Sequence, residues 1–198
     1  MVYKILHKLI CLLLIIIPIF VMGWLVANKL APSGKAEAVY DMRRETPFIS
    51  KLYPKDRVSE VKIREGGGFY RSLSAESVYF DLKPSASFEK VSVTIKYKII
   101  DGAGLRIGGL GDKRDWLFDF RNLAAGEGWR TQTEIFDFSK MAQEGGKFRF
   151  VFSVSGTERD GAEISEIRAV FERKRMTLKG AINKILDAVA RKINRLIL

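Results

Sequence analysis

The stretch 90–100, KVSVTIKYKII, decides the fold. Val91, Val93, Ile95, Tyr97 and Ile99 occupy alternate positions, with Ser92, Thr94, Lys96 and Lys98 between them. Successive side chains of a strand point to opposite faces, so this is a strand with one buried and one wetted face, as in an antiparallel sheet. The same period runs outward in both directions. Phe148, Phe150, Phe152 and Val154 alternate in KFRFVFSVS, Val78, Phe80 and Leu82 in SVYFDL, and Trp116, Phe118 and Phe120 in DWLFDF. Further strands are expected at 61–64, 69–73, 104–107, 129–136 and 164–171. Turn clusters separate them: Gly66-Gly67-Gly68, Lys83-Pro84-Ser85, Gly108 to Asp112, Ala125 to Gly128, Gly145-Gly146 and Asp160-Gly161. Short strands at this spacing, with no long helical period among them, predict a mainly β, antiparallel sandwich over 58–172. The aromatic rows, Trp116 with Phe118 and Phe120 included, are expected to fill the space between two sheets.

Composition narrows the chemistry. The chain has 198 residues, 47% hydrophobic and 29% charged, which is enough apolar surface for a folded domain. Its single cysteine, Cys11, and single histidine, His7, both lie in the first eleven residues. Everything after them lacks both types, which excludes Ser-His-Asp and Cys-His catalysis, histidine general acid–base chemistry and cysteine-rich zinc sites in the body. The glycine-rich DGAGLRIGGLGDKRD, 101–115, has neither of the phosphate-loop spacings and leads into a strand, so it reads as a strand edge and hairpin loop. Asp101, Asp112 and Asp115 lack a calcium-loop pattern and read as solvated turn residues. No cofactor and no metal is expected.

The run from VYFDL through KVSVTIKYKI, GWRTQTEIFDFSKM and KFRFVFSVSG to EISEIRAVFER carries a resemblance. A tryptophan-led stretch, then a strand of alternating phenylalanines, then a last strand with an I-x-x-I step resembles the jelly-roll domains of the galactose-binding-like or carbohydrate-binding-module type. It is also similar to the exported jelly-roll portions of bacterial inner-membrane proteins. The resemblance spans about 58–172 and implies an antiparallel jelly-roll β-sandwich and non-catalytic recognition of a glycan.

The two ends carry the charge. Of a net +11, residues 173–198 supply +7, from eight Lys/Arg against Asp187 alone, and Lys4 with Lys8 add +2, leaving 9–172 at only +2. A nucleic-acid-binding domain would place that charge on its folded surface, so nucleic acid is not expected as a partner. Residues 9–27, LICLLLIIIPIFVMGWLVA, are an uninterrupted uncharged run long enough to cross a bilayer, with Trp24 as an interfacial anchor. Its length exceeds that of a cleaved signal region, and the A-x-A spacing of Ala36 and Ala38 lies too far beyond it for cleavage. Residues 1–28 are therefore read as a short cytoplasmic tail and a signal anchor. Lys29 and Lys35 nearly balance Lys4 and Lys8, so the brevity of the tail favours the N-terminus inside and the domain outside. Residues 29–57 are read as a connector, with a short helix over 33–46 and stiffness from Pro47 and Pro54. In 173–198, Leu178, Ile182, Ile185, Leu186, Val189, Ile193 and Leu196 trace one helical face beside Lys179, Lys184, Arg191, Lys192 and Arg195. A basic amphipathic helix of this kind lies on an anionic lipid surface or against a partner helix.

These expectations describe a single-pass protein of the cell (inner) membrane with its domain outside the cytoplasm. Trp116, Trp129, Tyr70 and Tyr79 are candidate stacking rings, Trp116 being expected in the core; the domain would bind envelope glycan through Trp129 and Tyr70, with Arg130 and Arg121 reaching hydroxyls. Two other readings stand beside it. One is an accessory subunit of an envelope transporter or secretion complex, contacting membrane proteins. The other is a glycan-processing enzyme using two carboxylates from among Glu127, Glu134, Asp119 and Asp137.

Overall fold

The structure, a computed structural model, describes residues 34–173 apart from 75–76, 85–87, 101–102, 113 and 156–160. Near the N-terminus it also describes 3, 7, 14–18 and 20–22. Among the described residues, eleven strands form two antiparallel sheets: β1 (Lys35–Tyr40), β2 (Lys62–Ile63), β3 (Phe69–Leu73), β4 (Val78–Leu82), β5 (Lys90–Ile99), β6 (Gly104–Asp112), β7 (Leu117–Leu123), β8 (Arg130–Asp137), β9 (Gln143–Glu144), β10 (Lys147–Ser155) and β11 (Ala162–Glu172). One sheet runs β2-β3-β11-β5-β8, with β1 pairing β11 beyond β3; the other runs β4-β10-β6-β7, with β9 folded back on β10. The antiparallel β-sandwich expected from the strand pattern is the fold observed.

The alternation in 90–99 does what its period requires. Val91, Val93, Ile95 and Tyr97 are buried, and Ile164, Ile167, Ala169 and Phe171 of β11 pair beside them. Ile164 and Ile167 are three apart, a spacing that would put them on opposite faces of a regular strand. A bulge between Ile164 and Glu166 shifts the register by one residue, so both turn inward. The two sheets meet through aromatic rings. Phe136 of β8 meets Phe150 of β10 edge-on at 4.9 Å between centroids, and Phe138 stacks on Phe148 at 4.1 Å. Phe80 lies 5.3 Å from both Phe150 and Phe152 within its own sheet.

Three expectations are corrected. Residues 35–40 are strand β1, not a helix: they hydrogen-bond along the edge of β11, and Ala38 and Tyr40 alternate into the core. Tertiary pairing outweighs a modest helix propensity there. The Pro-containing stretch is likewise part of the sandwich, because Ile49 bridges to Leu82 and Tyr53 to Tyr79 along the free edge of β4, with Ile49 and Leu52 buried. Finally, Gly108 to Asp112 continue β6 and make no turn.

Residues 14–18 and 20–22 are helical, and Leu14, Ile15, Ile17 and Phe20 expose their side chains. No helix among the described residues is long and apolar enough to cross a membrane. Trp24 and all but the first residue of the segment 173–198 expected to be helical, including Leu178, Ile182, Ile185, Val189, Ile193 and Leu196, lie outside the described residues.

Replacing Phe150 by Ala removes the ring that joins the sheets and is expected to cost about 3–5 kcal/mol. Ile135→Ala on the same edge strand as Phe136 is expected to change stability by less than about 0.5 kcal/mol, because Ile135 is 64% exposed. Urea unfolding of the two variants reads the difference directly.

Candidate functional site

The outer face of the β4-β10-β6-β7 sheet is where the aromatic residues collect. Register places Tyr79, Val151, Gly108 and Phe120 in one row across all four strands. Paired residues of an antiparallel ladder share a face, so Phe118, opposite Leu110, stands on this side too. Trp116, Phe118 and Phe120 are thus not in the core. Phe118 and Phe120 are half-buried and Trp116 is 51% exposed. Period two identifies a face but not which side of the sandwich it turns to. On β7 the inward side carries Asp119, Arg121 and Leu123, and only Leu123 is buried. At this end the sandwich is closed by polar groups. Gln132 accepts from the Ala124 amide at 2.8 Å and from the Tyr97 hydroxyl at 3.1 Å, and donates to Glu134 at 2.7 Å.

Gly108 makes the outer layer possible. A Cβ there would lie 2.8 Å from a Phe120 ring carbon and 3.2 Å from the Phe118 Cβ, so only glycine leaves room for these rings over the strand. From Phe120 the rings continue without a break: Phe118 at 6.0 Å, Tyr79 at 6.3 Å from Phe118, and Tyr53 stacked on Tyr79 at 5.8 Å. Tyr53 comes from the stretch that runs along the edge of β4; its amide donates to the Tyr79 carbonyl at 2.9 Å and its carbonyl accepts from the Tyr79 amide at 2.7 Å. Val151 and Leu110 are buried within this face yet stand apart from the contiguous core. They give the layer its own apolar floor.

Arg149 holds the polar part of the site. Its guanidinium lies 5.4 Å from the Trp116 ring and 5.9 Å from the Tyr53 ring. Nε donates to the Tyr53 hydroxyl at 3.0 Å and approaches Asp81 at 3.4 Å, while a terminal nitrogen pairs with Glu144 at 3.2 Å. The Tyr53 hydroxyl donates to Asp81 at 2.7 Å, and the Asp81 amide donates to Ser50 Oγ at 2.8 Å. Burial first, then the Asp81 carboxylate, hold the Tyr53 phenol above its usual range, against the opposing pull of Arg149. Burial opposes the charge on Arg149, but Tyr53 and Asp81 outweigh it and raise its pKa. Trp116 itself adopts φ 53°, a left-handed conformation that a bulky side chain rarely takes. With Tyr53, Pro54, Arg57, Tyr79 and Arg149 it lines an open groove of about 410 Å³.

The residues anticipated as ligand contacts fare unevenly. Tyr70 and Trp129 do come together, edge to face at 5.8 Å, with the Arg64 guanidinium 5.3 Å over the indole and Lys62 near Tyr70. Arg64 covers part of the ring surface that a ligand would stack on. Arg130 is exposed at the start of β8, and Arg121 pairs with Asp119 at 2.8 Å on the far side of β7 from Phe120. Three of the four carboxylates considered for catalysis are tied down separately, Asp119 to Arg121, Glu134 to Gln132, and Asp137 to Ser139, whose hydrogen bonds lower the Asp137 pKa, while Glu127 is exposed in the loop before β8. No cluster of three or more potential metal ligands occurs among the described residues. Asp112, the last residue of β6, accepts from the Arg114 amide at 2.7 Å, and Asp101 lies outside the described residues. Tyr79 and Trp116 were among the candidate stacking rings in the sequence, whereas Tyr53 and Arg149 were not singled out. The F-x-F and Y-x-D alternation hinted at this face, and it says nothing of the side of the sheet.

The fold and this face define a β-sandwich with an aromatic and cationic platform on one sheet. No family model matches the chain, and no curated protein does. Among solved structures it is similar to the xylan-binding module CBM15 (15% identity, 71% of this chain and 99% of that one, TM-score 0.43). It is similar also to the CBM22-1 xylan-binding domain of Xyn10C from Paenibacillus barcinonensis (12%, 69% and 94%, TM-score 0.43). A third is the C-terminal CBM6 of the LamC laminarinase from Zobellia galactanivorans (11%, 68% and 98%, TM-score 0.42). These likenesses assign no residue of this chain a role.

The Tyr53 phenol predicts a pH dependence. The folded state holds this proton more tightly than the unfolded chain, where a phenol titrates near about pH 10. Its contribution to stability is thus fully present below about pH 10 and declines as the pH rises past it. Urea midpoints between about pH 9 and 11 are expected to fall, less steeply in Tyr53→Phe. The slope that remains belongs to other groups, Tyr40 and Tyr97 among them, whose pKa values burial also raises.

Proposed function

We propose that the chain is a non-catalytic, membrane-anchored binding protein whose sandwich offers the Tyr53–Tyr79–Trp116 face to a glycan of the cell envelope. The observation that carries this reading is the exposed Trp116 beside the Arg149–Tyr53–Asp81 network, in one open groove. Sugar rings present apolar C–H faces that pack on aromatic rings, and hydroxyls that pair with fixed charged groups. Here both kinds of partner are held in place before a ligand arrives. The separate local partners of Asp119, Glu134 and Asp137 favour binding over hydrolysis, since a glycosidase needs two carboxylates facing one bond.

The anchor belongs to the same proposal. The uncharged run 9–27 supplies a single span, with the domain on the extracytoplasmic side of the inner membrane; the helical, exposed Leu14, Ile15 and Phe20 support it. Residues 174–198 supply a second contact, on anionic lipid.

Two experiments test the two parts. In lipid nanodiscs, affinity electrophoresis and calorimetry against xylan, β-1,3-glucan, β-1,4-galactan and acidic polysaccharides should reveal at least one that binds. Trp116→Gly should abolish it while leaving the urea midpoint unchanged or raised, because glycine relieves the left-handed backbone. Undiminished binding in Trp116→Gly would move the site elsewhere, and Trp129→Ala would then be the variant to lose it. A chain lacking 1–28 should co-sediment with anionic vesicles, less so at high salt, and lose them when Ile185 and Val189 become Asp. A chain that stays in the supernatant at low salt would refute the tail contact.

A further inference from the structure

We infer that the glycan taken on this face is anionic, bearing carboxylate or phosphate groups that a lysine-lined cavity next to the aromatic groove receives. The inference rests on the glycan-binding reading and adds the chemistry of the ligand. Tyr53 stands between two openings. On one side lies the groove with Trp116 and Arg149; on the other lies a cavity of about 500 Å³ that Tyr53 and Asp81 also line, together with Lys51, Lys55, Lys83 and Lys147. The four lysines reach it from three directions. Lys51 and Lys55 flank Tyr53 on the stretch along β4, Lys83 follows β4 two residues beyond Asp81, and Lys147 precedes Arg149 by two on the same face of β10.

The charge there is unbalanced. Asp81, the most buried acid of the cavity, is already engaged by Tyr53 and Arg149. Glu45 and Glu60 are the other two acids of the lining, and none of the four lysines forms an ion pair among the described residues. Residues 9–172 as a whole carry only +2, so four unpaired ammonium groups around one opening are a local concentration of positive charge. Like charges lining one concavity repel, and the field they focus attracts a ligand of opposite sign. Lysine also suits the task. Its flexible stem carries a point charge, which follows acidic groups spaced along a polymer without demanding the planar geometry that arginine imposes. A saccharide unit stacked over the Tyr53–Trp116 groove would thus place the acidic substituents of neighbouring units among these lysines.

The test uses the full chain in phosphatidylcholine nanodiscs. The probes are polygalacturonate, its methyl-esterified form, a glycerol-phosphate teichoic polymer, and neutral xylan and β-1,3-glucan. At low salt at least one acidic polymer is expected to bind about tenfold tighter than the neutral probes, with esterification removing the advantage of the uronate. Raising salt from about 50 to about 500 mM should shrink the difference. Lys83→Glu with Lys147→Glu should remove the acidic preference and leave folding intact, since both side chains are outside the core. Polygalacturonate against the teichoic polymer tells carboxylate from phosphate. Neutral probes bound as tightly as acidic ones, or a preference that survives the double reversal, overturns the inference but leaves glycan binding standing. Failure of every polysaccharide, with Lys83 and Lys147 instead needed for adsorption to phosphatidylglycerol vesicles, overturns both and assigns the face to lipid.

Discussion

Phe150 touches both halves of the molecule. Its ring meets Phe136 of the opposite sheet edge-on at 4.9 Å and lies 5.3 Å from Phe80 of its own. Edge-to-face rings interlock, so the contact sets how the two sheets lie over one another as well as how far apart they are. Phe138, stacked on Phe148, adds a second ring contact, and Phe171 brings β11 into the same cluster. Once the inner faces are held this way, β4 and β10 must turn Tyr79, Asp81 and Arg149 outward, because successive side chains alternate. The outer site is in that sense the reverse side of the core.

The strand β6 shows how closely the two faces are coupled. Gly108 and Gly109 point to opposite sides. A Cβ on Gly108 would strike Phe120 in the outer layer, and one on Gly109 would come within 2.6 Å of Met141, whose side chain packs against the core. Adjacent glycines thus let a ring lie against one surface of the sheet and a thioether against the other. This accounts for a glycine-rich segment that has no phosphate to cradle. It also explains why the segment stays extended: a turn here would remove the floor on which Phe118 and Phe120 rest.

A connector became part of the domain for a related reason. The free edge of β4 presents unpaired backbone groups, and an uncovered edge invites association with other chains. The stretch around Ile49 and Tyr53 covers it, with amide and carbonyl of Tyr53 both paired to Tyr79. That backbone pairing delivers the Tyr53 hydroxyl to Asp81 and Arg149. Covering the edge and building the site are achieved by the same residues.

The alternation in 90–99 and 147–155 was sufficient to establish strands, their buried faces and the sandwich class, because period two is a local property that burial on one face imposes directly. The lack of histidine and cysteine beyond residue 11 was sufficient to exclude whole classes of chemistry. Period two could not tell whether the aromatic side of β7 faced the opposite sheet or solvent. That depended on the pairing of Gly108 with Phe120 and on an open margin closed by Gln132. Helix propensity in 33–46 likewise lost to the edge of β11, a partner more than a hundred residues away in the chain. Local pattern says what a segment can bury; only the tertiary structure, by choosing its neighbours across the sheet, decides which of its faces is left to bind.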